Sequence, residues 1–234
     1  MGADEFRVLV VCTGNLNRSA LGAVLLTTWA EWYLPAAIAG GVRVTSAGLG
    51  APVGSPMAPR ARAIAEALGA DGSAHRAVQI TEEAIRAADL VLVSSTRQRD
   101  NVIGLVPGAL RSTFTIREAG RIIEGLPGWD APGSVEEMRA RVAAIADNRA
   151  LATTDGGGGA DIIDPQGKDD EAYRQMARQE VPPLARVGHA LFGMPPGEIE
   201  AYEAAVEAAA FSFDDGARDS AADTRIRPRG RREA

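Results

Sequence analysis

Residues 8–21 read VLVVCTGNLNRSAL. Four apolar residues lead into Cys12, a polar loop follows, and Arg18-Ser19 close it before a second apolar stretch begins. With Phe6 and Arg7 in front, FRVLVV (6–11) is a compact β-branched run and reads as a first strand. SALGAVLLTTWAEWYL (19–34) brings Leu21, Val24, Leu25, Thr28 and Trp32 to one face at three- and four-residue spacing. Pro35 ends it, which predicts a helix of about four turns. The chain's single cysteine therefore lies where a strand hands over to a helix, the edge at which open α/β sheets bind ligands.

A tight loop at that edge turns successive backbone N–H groups toward one point, and the helix adds its own unpaired donors. Cys12-Thr13-Gly14-Asn15-Leu16-Asn17-Arg18-Ser19 so forms an oxyanion cradle. A phosphate held by Thr13, Gly14, Asn15, Leu16 and Asn17 would meet the Arg18 guanidinium, whose fork matches two phosphoryl oxygens. Cys12 would sit beneath the phosphorus. The same donors favour a thiolate, the nucleophilic form of a cysteine. Ser19 is placed to give its hydroxyl hydrogen to the sulfur, Asn15 to bond across the loop, and Gly14 to adopt a backbone angle that most residues resist. A nucleotide-binding loop is excluded, because no Lys-Ser/Thr pair and no G-x-G-x-x-G follow the strand. The bland alternative is a small apolar cysteine ending a strand.

Further along, VRVTSAG (42–48) reads as a second strand, 59–69 as a helix, and 81–88 as a short helix capped by Thr81. DLVLVSS (89–95) is nearly continuous in apolar residues, as expected of a parallel strand covered on both faces. Residues 97–104 read as helix, 109–114 as a fourth strand, 115–124 as helix and 125–133 as loop. A helix over 134–151 opens with a Ser134/Glu137 capping-box pattern, and 153–161 is a flexible link. Residues 162–180 give an extended piece, an Asp-Pro turn and a helix that Pro182 and Pro183 interrupt, with another helical piece at 184–192. The fold class is α/β: a four-stranded parallel sheet with helices on both faces and a phosphate-binding loop after strand 1. The domain is expected over 1–195, an extra helix within 196–211, and a disordered tail over 212–234 with five arginines between 225 and 232.

Composition narrows the function further. Of 234 residues, 46% are apolar and 24% charged, and the formal net charge of −6 offers no broad cationic face to nucleic acid or anionic membrane. No apolar run reaches the ~18 residues of a spanning helix. Residues 1–7 lack a secretory leader's basic start and apolar core, so the expected location is cytoplasmic. One cysteine rules out an internal disulfide framework, and His75 and His189 lie too far from it in sequence to suggest a metal site. No cofactor is expected, and no oligomeric state is indicated.

A cysteine, five residues and Arg-Ser directly after an N-terminal strand resembles the low-molecular-weight protein-tyrosine phosphatase family, bacterial type. Ser46-Ala47-Gly48, His75-Arg76-Ala77, DLVLV from Asp89, TFTIRE (113–118) and DIIDP (161–165) agree, and the resemblance spans 6–192. It implies hydrolysis of phosphotyrosine, on proteins or small aryl phosphates, through a phosphocysteine at Cys12 with Arg18 as clamp. It also implies that the aspartate of Asp164-Pro165 is the general acid and then the base, a role that suits a carboxyl held by a rigid turn. Asp161 competes but lacks the proline. His75 reads as structural, since the cradle needs no histidine base. Three departures bear on chemistry. Asn17 stands where many members carry a second cysteine, Gln166 stands where tyrosine-directed members often carry tyrosine, and 48–58 holds no aromatic residue. Leu16 is bulky and aliphatic as in tyrosine-directed members, whereas threonine there would resemble arginine phosphatases. Two alternatives stay open: an arsenate reductase that uses one cysteine and a small-molecule thiol, and a non-catalytic phosphate-binding module.

Overall fold

β1 (Phe6–Cys12) alternates its side chains between two cores, and that alternation sets the layers of the molecule. Phe6, Val8 and Val10 face one cluster of buried residues, and Leu9 and Val11 face another. The computed structural model describes residues 5–126, 128–153, 159–208, 211 and 213. After β1 come α1 (Arg18–Tyr33), a short α2 (Ala36–Ala39), β2 (Val42–Gly48), α3 (Pro59–Ala67), α4 (Glu82–Ala87), β3 (Leu90–Val93) and α5 (Thr96–Leu105). A 3-10 turn (Pro107–Arg111) leads to β4 (Thr113–Thr115), α6 (Ile116–Glu124) and α7 (Val135–Asp147). A second 3-10 turn (Arg149–Thr153) precedes α8 (Asp170–Phe192) and α9 (Pro196–Glu207).

Among the described residues the strands form a four-stranded parallel sheet in the order β2-β1-β3-β4, with helices on both faces. The larger core packs α1, α3, α6, α7, α8 and α9 on one face, and the smaller packs Ile85 of α4 and Val102 of α5 on the other. β1 pairs with β2 through Cys12↔Gly48 and with β3 through Val11↔Val93, so Cys12 ends the central strand where the order reverses. Among the described residues no helix is long and apolar enough to cross a membrane.

Several boundaries differ from expectation. α8 runs unbroken through Pro182 and Pro183. Each proline forfeits one helical hydrogen bond, but Met176, Val181, Leu184 and Val187 on either side are buried in the same core. Gly120 of α6 makes the room: a Cβ there would come within 2.5 Å of Pro183 Cβ. Tertiary burial thus outweighs the local penalty. β4 is shorter than its apolar run, because 107–111 coil into a 3-10 turn. The capping Ser134 accepts from Glu137 N, while the Glu137 side chain accepts from Gly133 N instead of closing the box, and α7 stops at Asp147. The buried face of α1 is rotated from the expected stripe. Leu21 and Leu25 are buried, but Val24, Thr28 and Trp32 are half-buried, and Trp29 is fully enclosed.

Trp29 meets Tyr202 of α9 edge to face at 5.0 Å, so α9 shares the main core. Phe211 is buried, and Phe213 sets its ring against Tyr173 at 6.3 Å. Residues 154–158 of the expected link, and the expected tail over 212–234 apart from Phe213, lie outside the described residues.

Candidate active site

The loop from Cys12 to Arg18 is curled by bonds that pull its carbonyl groups outward. Cys12 O accepts from Leu49 N (3.0 Å), Thr13 O from Gly50 N (2.9 Å), Leu16 O from Ala58 N (3.0 Å) and Asn17 O from Leu21 N (2.8 Å). Asn15 O faces His75 Nε2 at 2.8 Å, which makes that nitrogen the protonated one. With the carbonyls occupied outside, the amides are left for the interior of the loop. Among the described residues only Cys12 Sγ meets a loop amide there, accepting from Asn15 N at 3.2 Å, and none accepts from Gly14, Leu16, Asn17 or Arg18 N. The N-terminus of α1 opens into the same space without a side-chain cap.

The strained backbone position is Asn15, at φ 54°, and not Gly14 as expected. Asparagine tolerates this left-handed region because its short carboxamide bonds locally. Val78 N donates to Asn15 Oδ1 (2.8 Å), and a backbone amide can only donate, which fixes the orientation of the carboxamide. Nδ2 therefore points at Ser19 Oγ and Ser46 Oγ, each at 2.9 Å. Because Ser19 Oγ accepts from Asn15, its own hydrogen is left to donate, with Cys12 Sγ 2.9 Å away and Ala47 O a longer alternative at 3.5 Å. A buried relay from Asn15 through Ser19 thus ends on the sulfur. Gly48 completes the packing. A Cβ there would lie 2.7 Å from Thr13 O and 3.0 Å from Asn15 N.

Arg18 is buried at the loop's end. Its Nη1 donates to Ile162 O (3.1 Å) and its Nη2 pairs with Asp164 Oδ2 (2.6 Å), which brings the Asp-Pro segment to the rim. Arg18 Nε has no partner among the described residues. Asp164 is half exposed and also accepts from Gln166 N (3.2 Å). Asp161 is occupied elsewhere, accepting from Thr96 N (2.8 Å) and Thr96 Oγ1 (3.0 Å) at the start of α5. His189 sits far along α8, its Nδ1 2.6 Å from Met194 O. No metal-ligating cluster of three or more His, Cys, Asp or Glu occurs among the described residues.

Cys12, Thr13, Gly14, Asn15, Leu16, Asn17, Arg18, Ser19 and Asp164 are therefore brought to one rim. The structure adds Gln98 and Glu180, which the sequence did not single out, and gives Gln166 a partner. Gln98 Nε2 donates to Thr13 Oγ1 (3.1 Å) while its Oε1 accepts from Ser94 N (3.0 Å), so α5 steadies the loop. Gln166 Oε1 accepts from Asn17 Nδ2 (2.8 Å). Glu180 of α8 is fully buried with neither carboxyl oxygen bonded among the described residues. Burial pushes its carboxyl well above the ordinary range, with the Arg18 charge opposing. Beside the loop, Leu16, Met57, Arg60, Gln166, Lys168 and Tyr173 line a cavity of about 540 Å³. Tyr173 of α8 is an aromatic residue in that lining, itself buried, with the Arg60 guanidinium 5.5 Å above its ring.

Comparison with known proteins agrees with this geometry. The family model described as low molecular weight phosphotyrosine protein phosphatase matches residues 7–118. The probable low molecular weight protein-tyrosine-phosphatase EpsP of Ralstonia nicotianae is 38% identical over 111 residues, covering 47% of this chain and 70% of that protein. A protein-arginine-phosphatase of Geobacillus stearothermophilus is 35% identical over 138 residues, covering 58% of this chain and 85% of that protein. Among solved structures, the YwlE arginine phosphatase from Geobacillus stearothermophilus superposes with a TM-score of 0.55 at 28% identity, over 80% of this chain and 92% of that one. The low molecular weight protein tyrosine phosphatase from T. tengcongensis gives 0.54 at 26% identity, over 78% and 97%. The chain belongs to the low molecular weight phosphotyrosine protein phosphatase family and is a phosphatase of that family.

Proposed function

We propose that the protein hydrolyses phosphotyrosine on proteins through a phosphocysteine intermediate. The observation that carries this reading is the sulfur of Cys12 lying 2.9 Å from Ser19 Oγ and 3.2 Å from Asn15 N, at the base of a ring of inward amides closed by Arg18. The phosphoryl oxygens accept from those amides and from the guanidinium fork. Cys12 attacks phosphorus, the S–P bond forms as the P–O bond to the aryl group breaks, and protonated Asp164 gives its proton to the leaving oxygen. Asp164, now a carboxylate, takes a proton from water as the water oxygen attacks phosphorus. The S–P bond breaks, and the sulfur departs as a thiolate held by Ser19 and Asn15 N–H.

The choice of tyrosine rests on the cavity beside the loop, which Leu16, Met57 and Tyr173 help to line. A second reading, phosphoarginine, is favoured by the arginine-phosphatase relative and by polar Gln166 at the rim. Steady-state kinetics on matched phosphotyrosine and phosphoarginine peptides decide between them. The account predicts a kcat/KM ratio of at least about tenfold for tyrosine, no turnover by Cys12→Ser, and a loss of roughly 10²–10⁴-fold in Asp164→Ala. A ratio below one replaces tyrosine by arginine, and undiminished turnover by Cys12→Ser removes the phosphocysteine. Arsenate with glutathione, assayed alongside, tests the reductase alternative, for which no reduction is expected.

A further inference from the structure

Two adjacent residues of the phosphate loop reach the same distant segment. Arg18 holds Ile162 O and the Asp164 carboxylate, and Asn17 donates to the Gln166 side chain at 2.8 Å. Asn17 is the N-cap of α1, and asparagine is among the strongest capping residues, yet its side chain makes no cap bond. Its Nδ2 donates to Gln166 instead, from a position only 5% exposed, while its Oδ1 has no partner among the described residues. This choice leaves the first amides of α1 open to the anion and ties the acid's loop to the cradle at once.

The segment 161–168 is held unevenly. Its first half is pinned to the scaffold, through Asp161 at Thr96, Ile162 N to Ser94 O (2.8 Å) and Ile163 N to Gln179 Oε1 (2.8 Å). Among the described residues, the second half (164–168) is hydrogen-bonded or ion-paired to the rest of the molecule only through Arg18 and Asn17. Its other bonds are internal, Gln166 N to Asp164 Oδ1 (3.2 Å) and Lys168 N to Pro165 O (3.0 Å). Of the two outside tethers, the ionic one does not survive the reaction, since the phosphoryl group takes the guanidinium and Asp164 must carry a proton. The amide–amide bond joins two neutral groups, and nothing in the reaction displaces it.

We propose that Asn17 and Gln166 form a latch that keeps Asp164 over the phosphate loop while substrate occupies Arg18. Both are positioning residues. The link is mechanical: the Gln166 backbone N–H donates to the Asp164 carboxyl, so pinning the Gln166 side chain also sets the amide that orients the acid. The inference rests on the reading of Asp164 as general acid. It assigns one role to two positions where the chain departs from the family's pattern, the residue in place of a second cysteine and the residue in place of an aromatic.

The test is kcat/KM across aryl phosphates of rising leaving-group basicity, from p-nitrophenyl to phenyl phosphate, for wild type, Gln166→Met, Gln166→Glu, Asp164→Ala and the Asp164→Ala/Gln166→Met double variant. Gln166→Met keeps the side-chain length and loses the acceptor. It is expected to slow phenyl phosphate at least about tenfold more than it slows p-nitrophenyl phosphate, since only the poorer leaving group needs the proton. Gln166→Glu retains an oxygen for Asn17 and recovers most of the loss. The double variant is no slower on phenyl phosphate than Asp164→Ala, because the latch acts only through the acid. A loss equal for both substrates, no loss, or a further loss in the Asp164→Ala background overturns the latch while the acid stands. If Asp164→Ala itself shows the leaving-group dependence of wild type, the acid assignment falls and the latch with it.

Discussion

Replacing Asn15 separates what its backbone does from what its carboxamide does. The side chain makes three hydrogen bonds, from Val78 N and to Ser19 Oγ and Ser46 Oγ, while the backbone sits at φ 54°. At about 1 kcal/mol net per bond, Asn15→Gly is expected to lose about 3 kcal/mol of stability, because glycine enters the left-handed region freely. Asn15→Ala loses the same bonds and adds the strain of a Cβ at positive φ, bringing its loss to about 4 kcal/mol. Against a total of about 5–15 kcal/mol, both proteins remain measurable by urea unfolding. Asn15→Asp keeps the acceptor for Val78 N but turns a second acceptor on both serines. The Ser19 hydrogen then swings from the sulfur to the carboxylate. Asn15→Asp should therefore lose less stability than Asn15→Ala and more kcat than either neutral variant. Unfolding midpoints and kcat on p-nitrophenyl phosphate, measured on the same preparations, test this crossing of order. Wild-type activity in Asn15→Gly, or an activity order that follows stability, would refute the relay from Asn15 through Ser19 to Cys12.

Ser19→Ala removes one hydrogen bond to a charged sulfur, worth about 1.5–3 kcal/mol, so kcat should fall roughly ten- to hundredfold in the same assay. Gly48→Ala places a Cβ 2.7 Å from Thr13 O, so the loop must shift, and a loss of about 1–3 kcal/mol in unfolding together with weaker inhibition by inorganic phosphate is expected. Glu180→Leu changes the pH dependence of stability. Burial keeps the Glu180 carboxyl protonated in the native state beyond its ordinary value of 4.5, and the unfolded chain releases that proton. The residue therefore lowers stability increasingly as pH rises above about 4.5 and has no such effect below it. Thermal unfolding should show the variant's advantage larger at pH 8 than at pH 4, and a difference independent of pH would contradict the buried, unpartnered carboxyl.

The parts of the site that were readable in sequence are those built from contiguous residues. Cys12 through Ser19 form one turn, and the apolar run before them can only be a buried strand, so the cradle followed from eight consecutive letters. Asp164 was singled out through the family resemblance at its Asp-Pro pair, since an Asp-Pro by itself signals only a turn. The residues that escaped act across the fold. Tyr173 lines the cavity from α8, Gln98 steadies Thr13 from α5, and neither position carries a local signal of that contact. Gly14 and Asn15 were exchanged for a related reason. Glycine is the usual occupant of positive φ, but Asn15 is held there by Val78 N, 63 residues away. Pro182 and Pro183 signal a break in any isolated helix, and only Gly120, on another helix, explains why α8 continues. The α1 stripe was rotated because its apolar residues nearly encircle the helix, and α8 and α9 together decide which of them, Trp29 included, are enclosed.

Trapping the covalent species addresses the chemistry most directly. Asp164→Ala is mixed with an excess of p-nitrophenyl phosphate, quenched within its first turnovers, digested and mapped by mass spectrometry. Slow breakdown without the carboxylate should leave phosphate on the peptide that carries Cys12, and none in Cys12→Ser. Phosphate on any other residue, or product release with the thiol of Cys12 unmodified throughout, would place the reaction outside the ring of amides between β1 and α1.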